Sequence, residues 1–260
     1  MFKYLNHVVI SKFVMAITGI ILILFITGHA LGNLQIFLGK EALNKYAAFL
    51  QGLGEFLWIE RIGLLVAALL HIITSIYLKL YNYNARPDKY VVTKYIKAKL
   101  NSRTMIWTGL MIAAFVIYHL LHFTVGSIQP ENYKYKEIYT QNAYSVEYNA
   151  NTPSLSSSQD NDNDVNIGVN KILYERHDVY KMVVLGFRNP YISIFYIVAV
   201  ILLGFHISHA VQSFFQTLGW NNPKYFTWIE KLSVAYGYFI AIAFLIVPLS
   251  ILLGIIGSNV

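Results

Sequence analysis

The chain has 260 residues, of which 56% are hydrophobic and only 13% charged, and its mean hydropathy is +0.49. Soluble domains carry about 25% charged residues, so this composition points to a membrane protein. The absence of cysteine excludes disulfides, thiolate metal sites, iron–sulfur clusters and catalytic thiols. A net charge of +7 would suit nucleic acid, but the charges fall in loops between apolar spans, which argues against that partner.

A bilayer core takes about 20 apolar residues as a helix. Five stretches lack Asp, Glu, Lys and Arg: 13–39, 62–78, 104–130, 189–223 and 232–260. The first is too long for a signal-peptide core and lacks a small-residue cleavage site, so no cleavable signal is expected. The second is short, but Phe56, Leu57 and Trp58 extend it if Glu60 and Arg61 sit at the interface, and Lys79 can snorkel at its other end. Lipid tolerates no open sheet edge. The expectation is an all-α membrane protein, a bundle of five transmembrane helices near 12–36, 57–80, 104–127, 190–217 and 232–257.

Between the second and third spans lie Lys79, Arg86, Lys89, Lys94, Lys97, Lys99 and Arg103, opposed only by Asp88. The positive-inside rule puts this loop in the cytoplasm, together with the amino terminus and its Lys3 and Lys12, and puts the carboxyl terminus outside. The chain is thus expected to be multi-pass in the cytoplasmic membrane. Lipid contact is one reading of the basic loop, docking of soluble partners another. The loop at 127–188 would lie outside, where eight acidic residues offset its Lys and Arg. Its middle, NTPSLSSSQDNDND, is polar and of low complexity, and reads as a mobile segment rather than a domain. No internal repeat is evident.

Six of the eight histidines lie within spans: His29, His71, His119, His122, His206 and His209. A lone intramembrane histidine often serves as helix–helix glue. Histidines on four of five helices suggest a function. His29 lies 17 residues after Lys12, and His119 lies 15 after Thr104, which puts both about 22–25 Å from the cytoplasmic face. His71 lies 15 residues after Phe56, and His206 lies 15 after Tyr191, so both are about 22 Å below the outer face. The four sort into an outer pair, His29/His119, and an inner pair, His71/His206.

Two imidazoles facing each other at one depth are what a bis-histidine haem requires. With both axial positions filled, such a haem carries electrons rather than activating a ligand. A zinc or copper path is the competing reading, hinted at by the H-x-x-H spacings of His119/His122 and His206/His209. No intramembrane carboxylate or thiolate is present to help hold a divalent cation. Gly28, Ala30 and Gly32 flank His29, where either a flat macrocycle or a neighbouring helix can approach.

The stretches SKFVMAITGIILILFITGHALGNLQIFLG (11–39) and HDVYKMVVLGFRNPYISIFYIVAVILLGFHISHAVQSFFQTLGW (177–220), with the five-span layout, resemble the cytochrome b subunit of succinate dehydrogenase/fumarate reductase. The likeness is to the single-subunit, two-haem type of Bacteroidota. It covers nearly the whole chain and is weakest in the polar middle of the long loop. The resemblance implies a membrane anchor holding two stacked b-type haems (two haem b), with a flavoprotein and an iron–sulfur subunit as partners on the cytoplasmic face. Succinate or fumarate would react on the flavoprotein as part of respiration and the tricarboxylic acid cycle. Electrons would pass to or from a membrane quinone, usually menaquinone. The first and third helices would ligate the outer haem, the second and fourth the inner. The family pattern selects His119 in FVIYHLLHF and His206 in an FHxS context as ligands, and leaves His122 and His209 as secondary candidates. Some relatives carry a glutamate two residues before the fourth-helix ligand, on a proton path. Here that residue is Gly204. Neither the quinone site nor the direction of the reaction is legible. A di-haem cytochrome of a hydrogenase or formate dehydrogenase, and a haem or metal transporter, are the alternatives.

Overall fold

The computed structural model describes residues 2–85, 100–146 and 167–260, and side chains within 7–85, 103–138 and 175–260. The helix α1 (Phe2–Leu34) runs on through a 3-10 turn (Gln35–Leu38), and α2 (Lys40–Gly52) and α3 (Glu55–Asn84) follow. Next come α4 (Leu100–His119), which continues into a π-helical turn (Leu120–Thr124), the short α5 (Pro130–Tyr133), and strands β1 (Lys136–Val146) and β2 (Ile167–His177). The chain ends with α6 (Val179–Arg188), α7 (Pro190–Thr217) and α8 (Pro223–Leu252). Among the described residues five helices are long and apolar enough to cross a membrane: α1 with its 3-10 extension, α3, α4 with its π turn, α7 and α8.

Local chemistry sets the ends of the last two spans. The Asn189 side chain accepts from the Tyr191 and Ile192 N–H groups, and Asn222 accepts from Lys224 N–H. In both cases proline stands at the first helical position, where no N–H is needed. Gly219, at φ 81°, turns the chain between them in the left-handed region that glycine enters without strain.

In the bundle α1 packs on α3, α4 on α7, and α7 on α8. The α7–α8 seam is the tightest. Ser208 donates to Gly204 O at 2.7 Å. A Cβ at Gly204 would lie 2.7 Å from the Ala241 Cβ and 2.9 Å from Gly237 O. One core cluster joins α1 to this seam through Ala30, Leu203, Ile207, Ile240 and Ala243. A second gathers Val184, Phe187, Tyr196, Val247 and Ile251 at one end of the bundle.

That end also carries α2, α5, α6 and the β1–β2 ladder; it is called here the hairpin side. The two strands pair antiparallel from Lys136↔His177 to Val146↔Ile167. The segment 127–188 therefore holds more order than its polar composition suggested, because both its flanks fold back onto the bundle. Its low-complexity middle and most of the basic loop, including Arg86, Asp88, Lys89, Lys94, Lys97 and Lys99, lie outside the described residues. The fifth helix begins at Pro223 rather than near residue 232, since Lys224, Glu230 and Lys231 ride on its first turns.

Candidate functional site

The four histidines singled out by depth sit on four different helices: His29 on α1, His71 on α3, His119 at the end of α4, and His206 on α7. His29 and His119 come together towards the hairpin side, with ring centres 5.8 Å apart and planes at 84°. His71 and His206 belong to the other end, His71 against Thr18 of α1 and His206 against Thr108 of α4.

The His71/His206 pair is held by hydrogen bonds. His71 Nδ1 lies 3.2 Å from Met15 O and 3.3 Å from Thr18 Oγ1. A carbonyl only accepts, so Nδ1 carries the proton. Thr18 spends its own hydroxyl proton on Val14 O at 2.7 Å, the back-bond typical of helical threonine. His206 Nδ1 lies 3.2 Å from Thr108 Oγ1, and Thr108 donates to Met105 O at 3.1 Å and Thr104 O at 3.2 Å. With its single proton on one of these carbonyls, Thr108 can accept from His206 Nδ1–H. Each ring lies against a glycine. The Cε1 atoms of His71 and His206 stand 3.3 Å from where a Cβ would be at Gly19 and Gly109.

A short repeat, not noticed in the sequence, underlies this. Thr18-Gly19 and Thr108-Gly109 are each followed, after nine residues, by a histidine of the other pair, His29 or His119. Eleven residues are just over three full turns and about 16 Å of rise. One stripe of α1, and the matching stripe of α4, therefore serves both histidine layers.

The His29/His119 pair is held by rings. His29 stacks on Phe25 at 5.4 Å and lies 5.8 Å from Phe244. His119 contacts Phe115, Phe123 and Tyr196 at 5.8–5.9 Å. His119 Nδ1 is buried and has no hydrogen-bond partner among the described residues, an arrangement that costs free energy unless a ligand uses the ring. A metal shared by two imidazoles at about 2 Å per nitrogen needs ring centres roughly 6 Å apart, which this pair meets.

The surplus histidines differ. His122, in the π turn, is buried with both nitrogens engaged. Nδ1 accepts from Tyr196 O–H at 3.0 Å, and Nε2 donates to Gln129 Oε1 at 3.1 Å. It has no free lone pair for a metal. His209 makes no hydrogen bond among the described residues and is half-buried. The glycines near His29 also divide. Gly32 is the seat of the Tyr46 ring, which is helix packing, whereas a Cβ at Gly28 would meet nothing within 4 Å. At Gly204 the α7–α8 seam leaves no room for a glutamate side chain.

Above the His29/His119 pair the hairpin side is tied by charge. Lys40 bridges Glu137 at 2.6 Å and Asp178 at 2.8 Å. Arg176 holds Glu137 at 2.6 Å and also Glu41. Asn44, fully buried, donates to Glu137 and Asp178 and accepts from Tyr180 N–H. Burial alone would raise the Asp178 and Glu137 carboxyls, but Lys40 and Asn44 at both, with Lys181 N–H at Asp178 and Arg176 at Glu137, hold them below the usual range. Arg176 does the same for Glu41. This ring of charges reaches the bundle through His177, which donates to Tyr133 O at 2.7 Å, and through Tyr133, whose hydroxyl donates to Thr124 O in the π turn at 2.9 Å.

The sequence reading missed Thr18, Thr108, Gln129 and Tyr196. Only the Thr-Gly-x9-His repeat could have exposed the first two. Among the described residues no three His, Asp or Glu side chains converge as a divalent-metal site would need. No protein-family description, curated protein or solved structure matches the chain.

Proposed function

We propose that this chain is the di-haem cytochrome b anchor of a succinate:quinone oxidoreductase, passing electrons between an iron–sulfur partner and a membrane quinone, in keeping with menaquinone. The observation that carries the haem reading is the set of four imidazoles. They sit on four helices: His29 and His119 have ring centres 5.8 Å apart, with a buried His119 nitrogen left without a partner among the described residues, while His71 Nδ1 meets Met15 O and Thr18 and His206 Nδ1 meets Thr108. Iron porphyrin bound between paired imidazoles supplies one-electron transfer with no open coordination position. His71 and His206 would hold one haem, and His29 and His119 the other. The layers are separated by about 16 Å, so the chain would carry electrons across a large part of the bilayer.

Membership of this complex, rather than of another respiratory enzyme, rests on the resemblance of residues 11–39 and 177–220. On this reading succinate and fumarate react on the flavoprotein partner, on the side where the α3–α4 loop lies. A glutamate-dependent proton path beside His206 is not part of the proposal, because Gly204 is closed in by α8.

The test is purification of the tagged chain from its native membrane with its partners. Two haems per chain are expected, with low-spin b-type bands in the reduced-minus-oxidised spectrum, and flavoprotein and iron–sulfur subunits should co-purify. A colourless preparation overturns the haem reading. Two haems beside different soluble partners would overturn the complex assignment alone.

A further inference from the structure

We infer that Thr18 and Thr108 are positioning residues that fix His71 and His206 as the Nδ1–H tautomer and so present the Nε2 lone pair of each ring to one shared haem iron. The inference rests on the haem reading and goes beyond it, by naming what orients one ligand pair and tunes it.

A neutral imidazole has one protonated nitrogen and one lone pair, and the hydrogen bond made by one nitrogen decides which is which. Here both partners of His71 Nδ1 must accept. Met15 O has no proton, and Thr18 has committed its proton to Val14 O. His206 Nδ1 has the Thr108 hydroxyl as its one partner among the described residues, and that hydroxyl accepts when its proton lies on Met105 O or Thr104 O. Both threonines are buried, at 5% and 8% exposure, so water does not compete for the imidazole proton. Gly19 and Gly109, the next residue in each case, let the rings lie close against α1 and α4. The device occurs twice at the same distance from a histidine of the other layer, so one chance contact does not explain it.

The physical consequence is electronic. An acceptor on Nδ1–H makes the imidazole a stronger donor through Nε2. Stronger donation favours ferric over ferrous iron and lowers the midpoint potential. The other layer lacks the device: His119 Nδ1 has no partner among the described residues. The two haems are therefore tuned by different means.

The experiment is a redox titration of the purified complex carrying Thr18→Val, Thr108→Val or both, followed in the haem α-band, with haem content measured alongside. Valine keeps the volume and removes the hydroxyl, leaving His71 Nδ1 with Met15 O alone and His206 Nδ1 with no acceptor among the described residues. The expected result is an upward shift of one haem potential, larger in the double variant, with the second haem unmoved. Thr18→Ser and Thr108→Ser should restore it. Loss of one haem in a valine variant, recovered with serine, supports the same assignment, because orientation has then been lost. No shift, equal shifts of both haems, or haem loss that serine does not reverse overturns it. A wild-type complex without haem overturns the underlying reading instead, so the two failures are distinct.

Discussion

The two histidine pairs sit on different helices, His29 and His119 on α1 and α4, His71 and His206 on α3 and α7, and are held in different ways. At the end away from the hairpin, His71 and His206 are fixed through Nδ1 by acceptors one layer back on α1 and α4. Towards the hairpin, His29 and His119 are fixed by surrounding rings, and Phe187 of α6 packs on Phe123 and Tyr196 beside His119. A hydrogen bond sets ring orientation and ligand strength together, while ring packing sets orientation alone. The hairpin-side pair therefore depends on its cover, and the other pair depends on two threonines.

The largest expected effect comes from the ligands themselves. His71→Ala or His206→Ala should lower the haem content of the purified complex from two to one, with impaired assembly, and should spare the haem at His29/His119. His29→Ala or His119→Ala should remove the other haem. Pyridine-haemochrome quantification with redox titration reads which potential disappears. If both members of a pair do not delete the same haem, the pairing is wrong.

His122→Ala separates cover from ligation. The substitution strands the Tyr196 hydroxyl, leaves Gln129 Oε1 with Asn132 alone and opens a gap beside Phe123 and Gly186, which should cost roughly 2–4 kcal/mol. Both haems should be retained at low temperature, with an earlier thermal loss of the His29/His119 haem. His209→Ala breaks no hydrogen bond among the described residues and should be close to neutral. Loss of a haem in His122→Ala at low temperature would make His122 the ligand and His119 the packing residue.

These contrasts mark how far the sequence was readable. The five spans were legible because lipid demands long charge-free runs, and 13–39, 62–78 and 104–130 coincide with helices to within a turn or two. The four histidines stood out because ionisable groups in lipid are rare. What held them was less visible. Threonine is common in membrane helices, and nothing local marks Thr18 or Thr108 until the spacing to His29 and His119 is compared. The short elements that flank the loop at 127–188 were not legible because their order comes from partners far apart in the chain: Lys40 and Asn44 on α2 reach Glu137 and Asp178 on the other flank of three later helices. Composition windows do not register such contacts.

Arg176→Met attacks the cover from the aqueous end. Arg176 is 8% exposed, and its loss leaves Glu137 with Lys40 and Asn44, and Glu41 with Lys45. The expected cost is about 1–3 kcal/mol, confined to the strand root and α6. Amide exchange should speed up at Tyr180 and Lys181, whose N–H groups donate to Asn44 and Asp178. The environment of His71 and His206 should not change, so a shift in both haem potentials would contradict the separation of the two ends.

The smallest effect, and the one that isolates charge, is the response of that cover to acid. The carboxyls of Glu137, Asp178 and Glu41 are all depressed in the folded chain from ordinary values of 4.5, 3.8 and 4.5. A depressed carboxyl stabilises fully above its unfolded value and loses that contribution as pH falls through the folded value. Lys40 is raised from 10.5 by its hydrogen bonds to Asp178 and Glu137, so its contribution is complete below 10.5 and fades only as pH rises past the folded value. The cover should therefore be at full strength across the neutral range and weaken as pH drops below about 4. Protection of the Tyr180 and Lys181 amides, corrected for intrinsic exchange, should fall over that acid window while amides in the middle of α7 hold theirs. In Arg176→Met the loss should begin at higher pH, because Glu137 and Glu41 then titrate closer to their ordinary values. An acid response unaltered by that substitution would mean that the ion pairs do not govern the cover, and that the buried hydrogen bonds of Asn44 hold it alone.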